Sequence, residues 1–407
     1  MKMLVHMNQL LYPPDTGGKI RSSKLLERLA RRHEITIVCF RRTSETDEQV
    51  EQMRACCSRL ELIEWRETPK FSPRFYLELA ANLVSPYPYI VDKYYDRRME
   101  ERIRQIAAEG GFDVLLCDFL QPSLNVLRVP FGPKILFQHN VESVIRQRHY
   151  RQAPNPLVKA YLYLQWRKLF RHERRAAGAF DHCIMVSERD RETMAELYGA
   201  TNTSVIPTGV DVDYFQPADG EAAGENGLVF TGSMDWLPNE DAMAWFAAEI
   251  LPRIRREVPA TFRIVGRNPS AAVQRLAREH EGIEVTGTVD DVRPYIDHAK
   301  VYLVPLRIGG GTRIKIFEAM AMGKAVVSTA IGAEGLPVTD GEDVIIADDA
   351  ECFARRVVEL VKDDAARRRL GENARKLVRE HYTWDVAARV FGDICEEVVE
   401  RNKRNEE

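Results

Sequence analysis

No apolar run in this 407-residue chain approaches the ~20 residues that cross a bilayer as a helix, and no early apolar stretch precedes a small-residue cleavage site. Neither a membrane span nor export is expected. Charge of one sign is also lacking: 58 Lys and Arg face 61 Asp and Glu, for a formal net charge of −3. A general nucleic-acid binder needs a strongly basic balance, so that class is set aside. The seven cysteines (39, 56, 57, 117, 183, 352, 395) are odd in number and form no C-x-x-C pair. Cys39, Cys117 and Cys183 sit in or beside apolar runs, which fits buried free thiols in a reducing compartment and hence a cytoplasmic location. No His/Cys group has zinc spacing, and no bound metal or cofactor is expected. Two phosphate-binding signatures fail as well. YPPDTGGKI places Pro13 where a Walker A loop needs glycine and Ile20 where it needs Ser or Thr, and it is not G-x-G-x-x-G.

What the chain does have is 45% hydrophobic content, enough for two domains with separate cores. Short apolar runs alternate with helical patterns twice. The first set is Met3–Met7, Ile35–Phe40, Val114–Cys117, Ile135–Phe137, Cys183–Val186 and Val205–Ile206. The second is Leu228–Phe230, Phe262–Val265, Ile283–Val285, Val301–Val304, Ala325–Ser328 and Val344–Ile346. This alternation predicts an α/β protein with two doubly wound, Rossmann-like parallel sheets facing each other across a cleft, with ligands outside the carboxyl ends of the strands. PADGEAAGEN (217–226) is small, polar and glycine-bearing, as a linker would be. The expected division is 1–207, a linker over 208–226, 227–383, and a closing helix over 384–407 with Val386, Val390 and Ile394 on one face.

The stretch from Val301 to Leu336 is the most informative. An apolar strand leads into Gly309-Gly310-Gly311, where bare backbone can approach a ligand. Thr312 suits an N-cap, Ile314, Phe317 and Ala321 share a helical face, and Gly323 suits the helix end. Arg313 and Lys315 then fall in the first helical turn, where the macrodipole disfavours cations by a few tenths of a kcal/mol each (~0.3–1 at the surface). An anion docked there removes the cost, because free N–H groups, dipole and cations point at it together. Glu318, three residues beyond Lys315, can accept hydrogen bonds from sugar hydroxyls. A diphosphate beside a ribose fits this layout; a capped helix with a surface Lys–Glu pair leaves three glycines unexplained.

PLRIGGGTRIKIFEAMAMGKAVVSTAIGAEGL resembles the donor-binding segment of retaining nucleotide-sugar glycosyltransferases of family 4, which have the GT-B fold. YPPDTGGKIR, the His of FQHNVES and VIPTGVD extend the resemblance over nearly the whole chain, nearest to sugar transferases of bacterial exopolysaccharide and exosortase (PEP-CTERM) systems. It implies transfer of a sugar from a nucleoside diphosphate to a saccharide or lipid-linked acceptor, with the chain's end crossing back to the first domain. It further implies that Gly17 and Gly18 approach donor phosphates and acceptor, that His139 contacts the transferred sugar, and that Gly232, Ser233, Gly266 and Arg267 line the donor site with Gly310, Gly311, Thr312 and Glu318. Arg313 and Lys315 are then the cations on the departing diphosphate. Two departures stand out. The first member of the family's pair of Glu residues eight positions apart is Gly310 here, and TGSMDWLPNEDA replaces the Gly-Arg-Leu…Lys-Gly motif. Backbone N–H groups of Gly310 and Gly311 are expected to stand in for the missing carboxylate. A sugar-nucleotide epimerase and a non-catalytic nucleotide-sugar-binding partner of another transferase are the alternatives.

Asp211-Val212-Asp213 matches a D-x-D metal pattern, but beside Pro207 and Gly209 it reads as turn chemistry. His6, near the end of the first strand, reads as packing. Over 142–175 nine Lys/Arg oppose Glu142 and Glu173, with aromatics interleaved and Val158, Leu162, Trp166 and Leu169 as an apolar stripe. Such a basic amphipathic helix suits an anionic membrane surface; a domain helix with one solvated face is the alternative. The segment Phe71–Tyr95 reads as an acceptor-side loop or as ordinary packing.

Overall fold

The computed structural model describes residues 1–218, 227–308 and 314–406. The chain forms two compact units, one of Met1–Pro207 with Ala387–Glu407 and one of Thr208–Val386.

The first unit is built on a seven-stranded sheet in the order β3-β2-β1-β4-β5-β6-β7, every neighbouring pair parallel. Its strands are β1 (Lys2–Met7), β2 (Glu34–Arg42), β3 (Arg59–Trp65), β4 (Val114–Asp118), β5 (Lys134–Phe137), β6 (His182–Met185) and β7 (Thr203–Val205). Near-continuous Val, Ile and Leu in β1, β2 and β4 are buried because helices cover both faces, the usual environment of a parallel sheet. β3 is the strand missing from the sequence reading. Edge position lets Arg59, Glu61 and Glu64 interrupt its apolar residues, so no apolar run marks it.

The second unit has a six-stranded parallel sheet in the order β10-β9-β8-β11-β12-β13. Here β8 is Gly227–Thr231, β9 Thr261–Val265, β10 Ile283–Gly287, β11 Val301–Val304, β12 Ala325–Ser328 and β13 Ile345–Ile346. Phe230, Phe246, Phe262, Tyr302, Phe317 and Phe353 fill its core. Each such fully buried side chain contributes about 1.5–3 kcal/mol relative to exposure.

The helices that matter below are α1 (Gly17–Leu29), α2 (Pro73–Asn82), α3 (Tyr89–Asp92), α4 (Glu142–Gln152), α5 (Pro156–Ala179), α6 (Leu237–Trp245), α7 (Ile314–Ala321) and α8 (Trp384–Glu406). Three expectations need correction. Residues 208–218 are not a free linker: Val210 N donates to Tyr382 O, and the Arg293 guanidinium lies 3.8 Å from the Tyr214 ring centroid, so they pack in the second unit. Residues 219–226, the rest of that segment, lie outside the described residues. The basic stretch 142–175 is two helices, because Pro154 pushes Ala153 to extended backbone (ψ 120°) and Asn155 then caps α5 through Leu157 N and Val158 N. Its stripe is split, with Leu169 buried and Val158 exposed, and Lys168 turns inward to donate to Asn82 O and Leu83 O. The buried face of α8 runs through Ala387, Phe391, Ile394, Cys395 and Val398, so Ile394 of the predicted stripe is buried while Val386 and Val390 are only half-buried at its margin, and Phe391 is set edge-on to Phe137. The segment Phe71–Tyr95 carries α2 and α3.

Candidate active site

In each sheet the strand order reverses once, between β1 and β4 in the first unit and between β8 and β11 in the second. Helices on either side of such a switch point lie on opposite faces, leaving a crevice at the strands' carboxyl ends where α/β proteins bind ligands.

At the first switch point β4 ends in Asp118, and His139 stands two residues past the end of β5. Asp118 Oδ1 lies 2.8 Å from His139 Nε2, and Arg21 Nη1, from α1, lies 3.4 Å from His139 Nδ1. A guanidinium can only donate, so Nδ1 accepts and Nε2 carries the proton that Asp118 receives. Burial, with the Arg21 charge adding to it against Asp118, lowers the His139 pKa and keeps the ring neutral. Phe119 stacks flat on the imidazole at 3.8 Å between centroids, and Phe137 lies at 4.3 Å. Phe119 holds φ +70°, an unusual conformation for a bulky residue and one that concentrates at functional sites. Its ring also explains Gly18, since a Cβ there would sit 2.6 Å from Phe119 Cζ. Gly17 opens α1 beside it, behind the Thr16 cap.

His139 is therefore where the sequence placed it, but enclosed, with 2% of its side chain exposed. Around it, Asn8, Arg21, Ser22, Asp118, Gln121 and Gln138 each keep one buried polar atom without a protein partner. Such atoms are few in a native interior, and their concentration at a switch point marks a place built to hydrogen-bond something else. Asp118 and Arg21 were missed by sequence reasoning; an acidic residue closing the apolar run VLLC is the signal that could have found the first. His6 is packing, as expected. Its Nδ1 meets Val38 O and its Nε2 the Asn125 amide, and burial lowers its pKa to about 4.

At the second switch point Gly232 and Ser233 follow β8, Gly266 and Arg267 follow β9, and α7 follows β11. Gly232 N donates to Val265 O, and Gly266, at φ +156°, lies so close that a Cβ on it would meet Gly232 O at 1.6 Å. Only glycine permits that contact. The Lys315 ammonium sits 4.0 Å from the Phe230 ring centroid and 3.4 Å from Asn239 Oδ1 of α6, over Gly232, where a Cβ would come within 2.7 Å of it. Ser233 Oγ donates to Asp235 and receives a hydrogen bond from Arg267 Nε. Glu318 lies one turn beyond Lys315; burial raises its pKa to about 7 against the pull of that ammonium. Lys315 is thus brought to the two glycine-bearing loops, with Glu318 one turn beyond it on α7 and within reach of its charge, and Phe230 and Asn239 are members the sequence did not reveal. Gly310, Gly311, Thr312 and Arg313 lie outside the described residues.

Asp211 accepts from Tyr214 N, which is turn chemistry. Among the described residues no three His, Cys, Asp or Glu are grouped to hold a metal, and no helix is long and apolar enough to cross a membrane.

Residues 17–214 match the family Glycosyltransferase Family 4, and residues 225–363 match Glycosyl transferases group 1. The phosphatidyl-myo-inositol mannosyltransferase of Mycolicibacterium smegmatis is 31% identical over 329 residues, 77% of this chain and 79% of the relative. The chain belongs to glycosyltransferase family 4. An uncharacterized 44.6 kDa protein in the cps region of Klebsiella pneumoniae is 22% identical, over 74% of this chain and 78% of that protein. Among solved structures, the sucrose-phosphate synthase of Thermosynechococcus elongatus superposes with a TM-score of 0.70 at 18% identity, covering 98% of both chains. Anabaena Alr3699/HepE in complex with UDP and glucose gives 0.67 at 13% identity, over 98% of this chain and all of that one. These likenesses establish the GT-B fold, two Rossmann-like α/β domains. The chain is a glycosyltransferase, and the loops after β8, β9 and β11 are the family's group 1 half.

Proposed function

We propose that this glycosyltransferase moves a sugar from a nucleoside diphosphate to a saccharide or lipid-linked acceptor, with retention of anomeric configuration, in the synthesis of cell-surface polysaccharide or glycoconjugate. The observation that carries the proposal is the Lys315 ammonium held over the glycine-bared loops at Gly232 and Gly266, with the buried Glu318 carboxyl one turn beyond it. A cation beside the amino end of α7 is costly without an anion and useful with one. The main chemical task is to stabilise charge growing on the departing diphosphate, and preorganised donors in a confined site do this best. Lys315 and Arg313 take that role, Glu318 holds the ribose, and Gly310, Gly311, Thr312, Ser233 and Arg267 complete the donor site without a divalent metal or resident cofactor. His139, braced by Asp118 and Arg21, meets the transferred sugar when Phe119 turns aside, with Gly17 and Gly18 forming the adjoining loop. Same-face attack assisted by the leaving phosphate accounts for retention without a nucleophilic side chain. The UDP and glucose in the Anabaena structure support the donor class, and the cps-region relative supports the pathway.

The enzyme is proposed to work in the cytoplasm, peripherally on the inner membrane face. Exposed Leu157, Val158 and Tyr163 of α5, with Lys159 and Arg167 exposed beside them, support that contact. Thermal-shift screening of nucleotide sugars, followed by NMR of the anomeric proton in the product, tests the reading. Donor binding without any transferred sugar, across saccharide and lipid-linked acceptors, would overturn it.

A further inference from the structure

The segment that runs on from β8, Thr231 to Ala242, carries no Lys or Arg, where the Gly-Arg-Leu…Lys-Gly motif it replaces has both. The cation over it comes from α7 instead. Lys315 Nζ lies against the Phe230 ring and 3.4 Å from Asn239 Oδ1, and the Asn239 amide nitrogen donates in turn to Ser233 O at 2.8 Å. Asn239 is 2% exposed. One buried amide therefore bridges the loop after β8 and the first turn of α7. Gly232 closes the arrangement, since a Cβ there would sit 2.7 Å from the ammonium, 2.8 Å from the Asn239 amide nitrogen and 3.4 Å from the Phe230 ring. Bare backbone, an amide and a ring hold the ammonium between them.

The chemistry of the group that holds the ammonium matters as much as the distance. Asp235 and Asp241 belong to the same segment, and each is engaged elsewhere: Asp235 with Ser233 and Asn268, Asp241 with Arg307 at 2.6 Å. The residue of this segment that reaches Lys315 is a neutral one. A carboxylate at 239 would grip the ammonium harder but would also cancel its charge, and an ion pair already made offers little to an incoming anion. An amide oxygen orients the ammonium and leaves the charge available. Asn239 is also the third residue of α6, so the ammonium stands beside the first turn of a second helix, where a cation is disfavoured until an anion joins it.

We propose that Asn239 is the positioning residue of the donor site, a neutral amide that aims the Lys315 ammonium at the donor diphosphate without neutralising it, in a loop that supplies no cation of its own. The inference rests on the proposed sugar transfer and adds to it the residue through which Lys315 is set in place.

The test separates binding from turnover in the full chain. UDP, GDP and inorganic pyrophosphate are titrated by calorimetry, and kcat and KM are measured with the nucleotide sugar that the thermal-shift screen selects. Asn239→Ala should lower kcat by on the order of 10-fold while diphosphate affinity changes less, because a loosened ammonium still attracts the anion but meets the developing charge poorly. Asn239→Asp keeps the shape and the acceptor oxygen, yet should weaken diphosphate binding by on the order of 10-fold, since a negative charge then stands beside the anion. Lys315→Ala combined with Asn239→Lys should be faster than Lys315→Ala alone by on the order of 10-fold, because an ammonium returns to the same place from the other side. Thermal melts report the fold of each variant, and the near-isosteric Asn239→Asp carries the test should Asn239→Ala melt early. Wild-type kcat in a folded Asn239→Ala, undiminished diphosphate binding in Asn239→Asp, a paired variant no faster than Lys315→Ala, or no binding of any of the three probes to the wild type would overturn the proposal. Any of these results alongside sugar transfer by the wild type would sink this inference and leave the function standing. Diphosphate binding weakened by Asn239→Asp, with no sugar transferred by the wild type, would sink the function instead.

Discussion

Asp118 accepts the Nε2 proton of His139 at 2.8 Å, with both side chains almost wholly withdrawn from water. With Arg21 occupying the other nitrogen, the imidazole is fixed in tautomer and orientation before any ligand arrives. Arg21 comes from the loop-and-helix after β1, Asp118 from β4 and His139 from beyond β5, so the network ties three neighbouring segments together at the switch point.

The first prediction follows from that enclosure. Asp118→Ala leaves a buried N–H without an acceptor and should destabilise the protein by about 1–3 kcal/mol. Asp118→Asn can still present a carbonyl oxygen and should cost clearly less. Urea denaturation of the two variants measures the difference. Equal losses would mean that the negative charge, rather than the hydrogen bond, holds this site.

Glu318 gives the second prediction, with a definite sign. Its pKa stands near 7 in the folded protein against an ordinary 4.5, so the folded state favours the protonated form. Its contribution is unpenalised below pH 4.5 and stability is lost as pH rises through 7, where an incompletely solvated charge must form. Glu318→Gln should therefore be about as stable as wild type at pH 5 and more stable at pH 8, by on the order of 2 kcal/mol. The same change should weaken nucleoside diphosphate binding by about 1–3 kcal/mol, because the ribose loses a charged acceptor. Wild-type binding should strengthen from pH 6 to pH 8, and calorimetry should find that slope gone in the variant. A flat wild-type profile would remove Glu318 from the ribose.

The third prediction concerns metals. Lys315, Arg313 and the amino end of α7 are proposed to supply the positive charge that a divalent ion supplies elsewhere. Transfer, or slow donor hydrolysis, should persist in excess EDTA. Loss of activity on chelation, with recovery on adding Mn²⁺ or Mg²⁺, would refute this assignment.

Much of this was legible in the sequence, for identifiable reasons. Buried parallel strands write themselves as apolar runs, so β1, β2, β4, β11 and β12 stood out, whereas the half-solvated edge strand β3 did not. That Lys315 and Glu318 lie one turn apart is a three-residue spacing on one helix and could be read directly. Asp118 and Arg21 are separated from His139 by 21 and 118 residues, and only the folded sheet brings them to it. The turn of the chain at Ala153–Asn155 was marked by Pro154, yet the basic composition on either side obscured it. The exposed faces of α2 and α5 could not be told from core faces, because periodicity reports that a face is apolar and not what covers it.

The last prediction bears on the chemistry itself. Lys315 sits over Phe230 and Gly232 beside Asn239, held in place in advance of the proposed donor diphosphate. Because a cation in a first helical turn opposes the macrodipole, Lys315→Ala should leave the fold intact, with apo stability changed little beyond the lost contact with Phe230. The diphosphate gains charge as the glycosidic bond breaks, so an interaction with it should be stronger in the transition state than in the ground state. Lys315→Ala should accordingly lower kcat by on the order of 10²-fold, as loss of one oxyanion-hole donor does, while donor affinity falls less. Arg313→Ala should behave alike, and the double variant should lose less than the product of the single losses if the two cations act as one unit. Steady-state kinetics with donor binding measured separately decides the matter. Weak donor binding with kcat preserved would make both residues anchors of the ground state, and the charge on the leaving group would then have to be met from elsewhere in the site.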